Sequence, residues 1–217
     1  VRPYYEHGGI TIFHGDAWEL LPDVAGDIDA VVTDPPYGIG WKPRVNHRDT
    51  PWVDDRQFDP AAFLAVGKEH VLWGANYFAA LLPHSADWLS WVKRPIHCDF
   101  SSDKRSYSTV ELAWSDLGCG ARFIAHTWDG GMRAGAATNR SFCHPAQKPL
   151  EVMAWVVGLL KSKGAILDPF CGSGTTLVAA KDAGRRAIGI ELEERYCEIA
   201  AKRLSQEVLP FAEARNA

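Results

Sequence analysis

Two short runs of residues in this 217-residue chain carry side chains that can hold and activate a small molecule. The first is Asp168-Pro169-Phe170-Cys171-Gly172-Ser173-Gly174-Thr175-Thr176, set between a stretch that reads as a buried strand and one that reads as a helix. Gly172 and Gly174 let backbone approach a ligand where a side chain would collide. Free N–H groups at such a turn and helix start favour an anionic group. The phosphate-loop pattern Gly-x-x-x-x-Gly-Lys-Ser/Thr is absent. A dinucleotide fingerprint is incomplete, because Leu177 stands where the third glycine would be. Glu191, at the end of the next strand, is placed to accept hydrogen bonds from a ribose diol. A nucleoside with a shorter, zwitterionic tail fits these features. S-adenosylmethionine offers adenosine to Glu191 and a carboxylate to the turn, while Asp168 can accept from its ammonium group. A tight turn with a purely structural role is the competing reading.

The second run is Asp34-Pro35-Pro36-Tyr37, at another strand end. Consecutive prolines stop a central strand and stiffen the segment after it. Open parallel sheets bind ligands beyond the carboxyl ends of their strands. A carboxylate, a peptide carbonyl and an aromatic face held there suit a planar base with an exocyclic amine. Asp34 and the Pro35 carbonyl can accept its two hydrogens while Tyr37 stacks on the ring. A rigid surface turn is the bland alternative.

Hydrophobic pattern gives the strands and helices that carry these groups. Ile10–His14, Ile28–Thr33, Val71–Gly74, Trp88–Val92, Val110–Trp114, Ala165–Leu167 and Ala187–Ile190 read as strands, rich in aromatic and β-branched residues. Ala17–Leu21, Pro60–Glu69, Tyr77–Leu82, Leu150–Leu160, Thr175–Ala183 and Tyr196–Leu204 read as helices. The expectation is a single α/β domain over residues 1–217, Rossmann-like, with a largely parallel sheet covered on both faces. A long segment, Ile39 to Phe58, reads as a loop and a lid. Trp73, Trp91, Trp114 and Trp155 are expected in the core, and Trp41 and Trp52 in the lid.

Composition narrows the class. Apolar residues make up 47%, charged residues 23%, and the net charge is -4, which excludes a disordered tail protein and argues against two full domains. The longest strongly apolar stretch, Val152 to Leu160, is nine residues, about half a membrane span. Five scattered cysteines and the lack of an apolar leader lead to the expectation of a cytoplasmic protein with no membrane association. No close cysteine pair marks a metal site, so none is expected.

The two motifs together, in this order, resemble the amino-group DNA methyltransferases, which methylate adenine N6 or cytosine N4. The catalytic motif precedes the cofactor motif, as in the β-ordered class of that family. His144-Pro145-Ala146-Gln147-Lys148-Pro149, Gly189-Ile190-Glu191 and Ile12-Phe13-His14-Gly15-Asp16 are further matches, so the resemblance spans roughly Ile10 to Leu204.

The resemblance implies an S-adenosylmethionine-dependent fold, double-stranded DNA as partner, a flipped target base and direct methyl transfer. It implies catalytic roles for Asp34, Pro35, Pro36 and Tyr37. Cofactor contacts are implied from Asp168 to Thr175 and at Glu191, with Asp16 near the adenine. Lys148 is expected near the methionyl carboxylate, with a plain helix start at Pro149 as the alternative. Asp16 has its own alternative, an acidic helix cap. The Asp-Pro-Pro-Tyr form resembles N6-adenine enzymes; cytosine N4, RNA or another amine or amide, and a non-enzymatic nucleic-acid-binding module are the alternatives. Cys171 lies inside the cofactor turn and is not expected to act as a nucleophile.

Basic residues on irregular segments supply candidate DNA contacts: Lys42, Arg44, Arg48, Arg94, Lys104, Arg105, Arg122, Arg133 and Arg140. Segments 95–108 and 117–143 are the candidate target-recognition regions, a small irregular insertion facing DNA. So small a region leads to the expectation of a short target or a homodimer.

Overall fold

A computed structural model describes residues 1–40, 57–93, 108–129, 132–133 and 147–206. In chain order these form β1 (Tyr5–His7), β2 (Ile10–His14), α1 (Ala17–Val24), β3 (Ile28–Thr33), a one-turn α2 (Ala61–Leu64), β4 (Glu69–Trp73), β5 (Asp87–Val92), β6 (Val110–Ser115), β7 (Arg122–Ala125), β8 (Trp128–Asp129), β9 (Met132–Arg133), α3 (Leu150–Leu159), β10 (Ala165–Asp168), α4 (Thr175–Asp182), β11 (Ala187–Glu191) and α5 (Glu194–Leu204).

The nine-stranded sheet has the order β1-β2-β11-β10-β3-β4-β6-β5-β7. Its centre, β2 to β4, is parallel throughout. Both motifs lie in this region: Asp34 follows β3, and the glycine turn follows β10, its immediate parallel neighbour. The strands here are almost wholly buried, as runs covered on both faces must be. One face packs α3, α4 and α5 through Val152, Met153, Val156, Leu177, Ala180, Cys197 and Ala200. The other packs α1 and an aromatic group around Phe58, Phe63 and Phe78.

The outer part is mixed. Strand β6 runs antiparallel to both β4 and β5, while β7 pairs parallel with β5. Because β6 is reversed, its first residues lie at the sheet edge where β3 and β4 end. Segment 117–143 is therefore not wholly an irregular insertion, since Arg122–Ala125 extends the main sheet.

Two helix expectations are corrected. Pro60–Glu69 yields only the turn of α2, because Gly67 takes φ +80 and Glu69 already begins β4. Tyr77–Leu82 is not one helix but lies across two 3₁₀ turns, Ala75–Tyr77 and Ala79–Leu81, separated at Phe78 by φ -131 and ψ 26. Trp73, Trp91 and Trp114 are core residues, and Trp155 packs partly buried against the cluster that holds Trp73 and Trp91. Of the expected lid, Phe58 is instead a core residue, while residues 41–56, with Trp41 and Trp52, and segment 95–107 lie outside the described residues. Among the described residues, no helix is long and apolar enough to cross a membrane, and no cluster of metal-binding side chains occurs.

Candidate active site

The two motifs meet at one strand-end crevice. Thr33, the last residue of β3, donates from Oγ1 to Asp168 Oδ1 at 2.8 Å. Asp168 also accepts from the Phe170 N–H at 3.2 Å and from the Thr176 hydroxyl. Burial pushes its carboxyl up to about 6, against the opposing effect of those hydroxyl and amide donors. Asp168 thus ties β10, β3 and the start of α4 together, a role beyond the ligand contact expected of it.

Asp34 is enclosed by two donors. The Tyr37 hydroxyl donates to Oδ1 and the Lys148 ammonium to Oδ2. Burial raises the Asp34 carboxyl above its ordinary range although the Lys148 charge opposes it. Lys148 itself is buried, 8% exposed, between Asp34 and Glu111, whose Oε2 lies 2.9 Å from Nζ. Burial disfavours the cation, but the two carboxylates outweigh it and hold Lys148 at about 12. The structure therefore places Lys148 on Asp34 of the Asp34-Pro35-Pro36-Tyr37 motif rather than on the glycine turn. Pro149 stands at the N-cap of α3 with extended backbone, as a helix start does.

Tyr37 rests in a fitted seat. Gly74, at the end of β4, has φ +68, and a Cβ there would overlap the Tyr37 ring. Tyr77 stacks on Tyr37 with centroids 5.0 Å apart and planes at 21°, and its own ring is half exposed. The aromatic surface beside Asp34 is thus a pair of rings. Pro35 is buried and Pro36 partly so.

The glycine turn presents backbone rather than side chains. Gly172 and Gly174 both adopt left-handed φ, +52 and +78. Gly174 caps α4 with no side-chain acceptor, leaving the first-turn N–H groups available. A Cβ on Gly174 would come 2.8 Å from Ala200 Cβ, so this glycine is needed for the approach of α5 as well as for the turn. Ser173 and Thr175 are buried and accept from Arg203 on α5 at 3.1 and 3.3 Å. Pro169 and Cys171 are buried, and burial pushes the Cys171 thiol well above its ordinary range. A thiolate nucleophile there is disfavoured. Phe170 packs edge-on to Trp18 at 5.1 Å, among Phe58 and Phe63.

Glu191 is held by two backbone donors: Gly172 N–H to Oε2 and Glu193 N–H to Oε1, each 2.8 Å. Burial lifts its carboxyl to about 7 against those donors. Each oxygen keeps a further lone pair for a ligand hydroxyl. Asp16 is the N-cap of α1, accepting from Trp18 N at 2.8 Å and Glu19 N at 3.4 Å, as its alternative reading anticipated.

Among the basic candidates, Arg122 lies on edge strand β7, four strands from β3, roughly 19 Å at the usual strand spacing. Its Nε donates to Cys119 O at 3.0 Å. Arg133 is described only as backbone of β9, and Lys42, Arg44, Arg48, Arg94, Lys104, Arg105 and Arg140 lie outside the described residues.

Glu111, Lys93, Thr33, Arg203, Gly74 and Tyr77 are neighbours of the site that the sequence alone does not mark. Glu111 did leave one signal: strand alternation puts it on the same face as Ala113 and Ser115, both buried.

A mostly parallel α/β sheet with an acidic strand end, a proline-stiffened carboxylate and an uncapped helix start at neighbouring strands defines a Rossmann-like methyltransferase domain. The N6/N4 DNA methylase family profile matches residues 101–202. The chain is 51% identical over 252 residues to the type II methyltransferase M2.DpnII of Streptococcus pneumoniae, covering 95% of this chain and 93% of that one. With the type II methyltransferase M.ScaI of Streptomyces caespitosus it shares 30% identity over 263 residues, covering 95% and 84%. Its fold is that of the M1.HpyAVI–SAM complex (TM-score 0.57, 24% identity, covering 89% of this chain and 99% of that one). It is also that of the cytosine-N4-specific PvuII DNA methyltransferase (TM-score 0.64, 17% identity, 96% and 90%). The chain belongs to the amino-group DNA methyltransferase family.

Proposed function

We propose that this protein is a site-specific DNA adenine-N6 methyltransferase using S-adenosylmethionine. The observation that carries the reading is Asp34, a largely buried carboxylate at the end of β3, one strand from the turn that begins at Asp168. The adenine assignment rests on an Asp, rather than a Ser, heading the Asp34-Pro35-Pro36-Tyr37 motif.

The donor set fits this cofactor. Glu191, its carboxylate fixed by two backbone N–H groups, would take the ribose hydroxyls. The uncapped start of α4 would take the methionyl carboxylate. When bound, the cofactor supplies an electrophilic sulfonium methyl group. Asp34 and the Pro35 carbonyl accept the two hydrogens of the target amine and fix its lone pair toward the methyl. Tyr37, seated on Gly74, holds the flipped base by stacking, which offsets the few kcal/mol of extrusion. As the nitrogen gains positive charge, Asp34 stabilises it, and the amine proton leaves to Asp34 or solvent after the N–C bond forms. No covalent enzyme intermediate is required.

Basic side chains outside the pocket would meet phosphates. The small recognition region favours a short target or action as a dimer, and sedimentation with and without duplex separates these: a single monomer bound with full site selectivity removes the need for a second copy. The function itself is tested by incubating the protein with isotopically labelled methyl donor and separate DNA and RNA, followed by nucleoside analysis. Labelled N6-methyladenine in DNA is expected. N4-methylcytosine would replace the adenine assignment, and label only in RNA would replace the DNA substrate.

A further inference from the structure

Behind Asp34 stands a chain of alternating charge that the methyl-transfer reading does not use. Lys148 Nζ donates to Asp34 Oδ2 and lies 2.9 Å from Glu111 Oε2, an ion contact whose direction falls short of a good hydrogen bond. Glu111 Oε1 in turn lies 2.5 Å from Lys93 Nζ. The four groups come from four places: the end of β3, the approach to α3, the start of β6 and the end of β5. Strand β6 is antiparallel to β4, with Trp73 opposite Ala113, and this brings Glu111 to the carboxyl edge of the parallel strands. Trp73 is fully buried, and Lys148 Nζ sits 5.7 Å above its ring. Glu111 is drawn well into the ionised range, to about 2: burial opposes ionisation, but Lys148 and Lys93 outweigh it.

We propose that Glu111 is a positioning residue for methyl transfer, holding Lys148 so that its ammonium orients Asp34 without cancelling the negative charge the target amine needs. Resting on the methyltransferase reading above, this adds a residue that never touches the base or the cofactor. Two carboxylates and two ammonium groups make the array neutral. A lysine paired with Asp34 alone would place a full positive charge beside a nitrogen that itself becomes positive. With Glu111 on its other side, Lys148 is shared, and Asp34 stays both fixed and anionic.

The charged groups facing Asp34 are Lys148, Glu111 and, from β10, Asp168, with the neutral Tyr37 hydroxyl as a titratable donor and Lys93 acting through Glu111. The test is the pH dependence of single-turnover methyl transfer to duplex DNA, with donor affinity and melting temperature measured alongside. Glu111→Gln should slow transfer by about 10- to 100-fold with donor affinity unchanged. Its acid limb should move to lower pH, since an anion near Asp34 is lost, whereas Lys148→Gln should move the limb to higher pH. Opposite displacements would not follow from a packing role for Glu111. Parallel losses with an unmoved acid limb, or an unchanged rate in Glu111→Gln, would overturn the proposal. Should Glu111→Gln not fold, Lys93→Gln carries the test: it should shift the limb upward by less than Lys148→Gln, and no shift would count against the array. Asp34→Ala in the same assay separates the two levels. If it retains turnover, the methyltransferase site assignment fails; if it loses turnover while Glu111→Gln behaves as wild type, only Glu111's role fails.

Discussion

Thr33 and Asp168, 135 positions apart in sequence, share a buried 2.8 Å hydrogen bond that joins the residue before Asp34 to the first residue of the glycine-turn motif. Backbone pairing of β3 with β10 sets the two strand ends side by side, and this bond locks them at their tips. Replacing Thr33 with Val keeps shape and removes the donor. Asp168 would retain Phe170 N–H and Thr176, so the expected cost is about 1–3 kcal/mol of stability, the usual penalty for a buried polar group losing one partner. Urea unfolding measures it, and turnover should fall with it. An unchanged unfolding midpoint would show that the tips do not need the bond.

Gly74 should be intolerant of any side chain for a reason specific to the site. A Cβ would overlap the Tyr37 ring, and φ +68 already disfavours L-residues. Gly74→Ala should displace Tyr37 and the hydroxyl it sends to Asp34. Methyl transfer should drop by about 10²-fold, the scale of a 1 Å misplacement. Donor affinity, which the proposed function gives to Glu191 and the start of α4, should stay near wild type. Calorimetry of donor binding beside single-turnover rates makes the comparison, and equal losses in both would contradict it.

A separate pH effect is built into the sheet at His70. Its Nδ1 lies 2.6 Å from Asp116 Oδ2 and its Nε2 2.8 Å from the Val66 carbonyl. Both partners are acceptors, so both ring nitrogens must donate, which only the imidazolium can do. Burial pulls the other way, yet the hydrogen bond and charge of Asp116 prevail and the folded pKa is raised. The stabilisation is therefore complete below the ordinary histidine value of about 6.5 and is lost as pH rises through the raised folded value. Wild type should lose stability relative to His70→Gln across that window in urea titrations at stepped pH. A difference independent of pH would mean the pair is held neutral.

The parallel centre of the fold is readable because its strands are continuous apolar runs between helices: Ile28–Thr33 reads at its observed bounds, and Ala165–Leu167 and Ala187–Ile190 each end one residue short. The motif carboxylates are readable because each terminates such a run. Features that escape the sequence depend on pairing between distant segments. Nothing local in Val110–Ser115 says that the strand is reversed, and that reversal alone puts Glu111 beside Lys148. The same limit explains Lys148, expected near the glycine turn and found on Asp34. Gly174 reads as a residue that admits a ligand, whereas its missing Cβ also admits α5 at Ala200. Local glycine geometry likewise shortens the Pro60–Glu69 helix, through the left-handed backbone of Gly67.

Division of labour between the strand ends is put to the test by Asp34→Ala, with single-turnover methyl transfer and donor affinity measured on the same preparation. Transfer should fall by at least about 10³-fold while the donor dissociation constant changes by less than about threefold, because the proposed mechanism has the carboxylate act on the amine rather than on the donor. Retained transfer, or affinity lost in step with rate, would contradict that division.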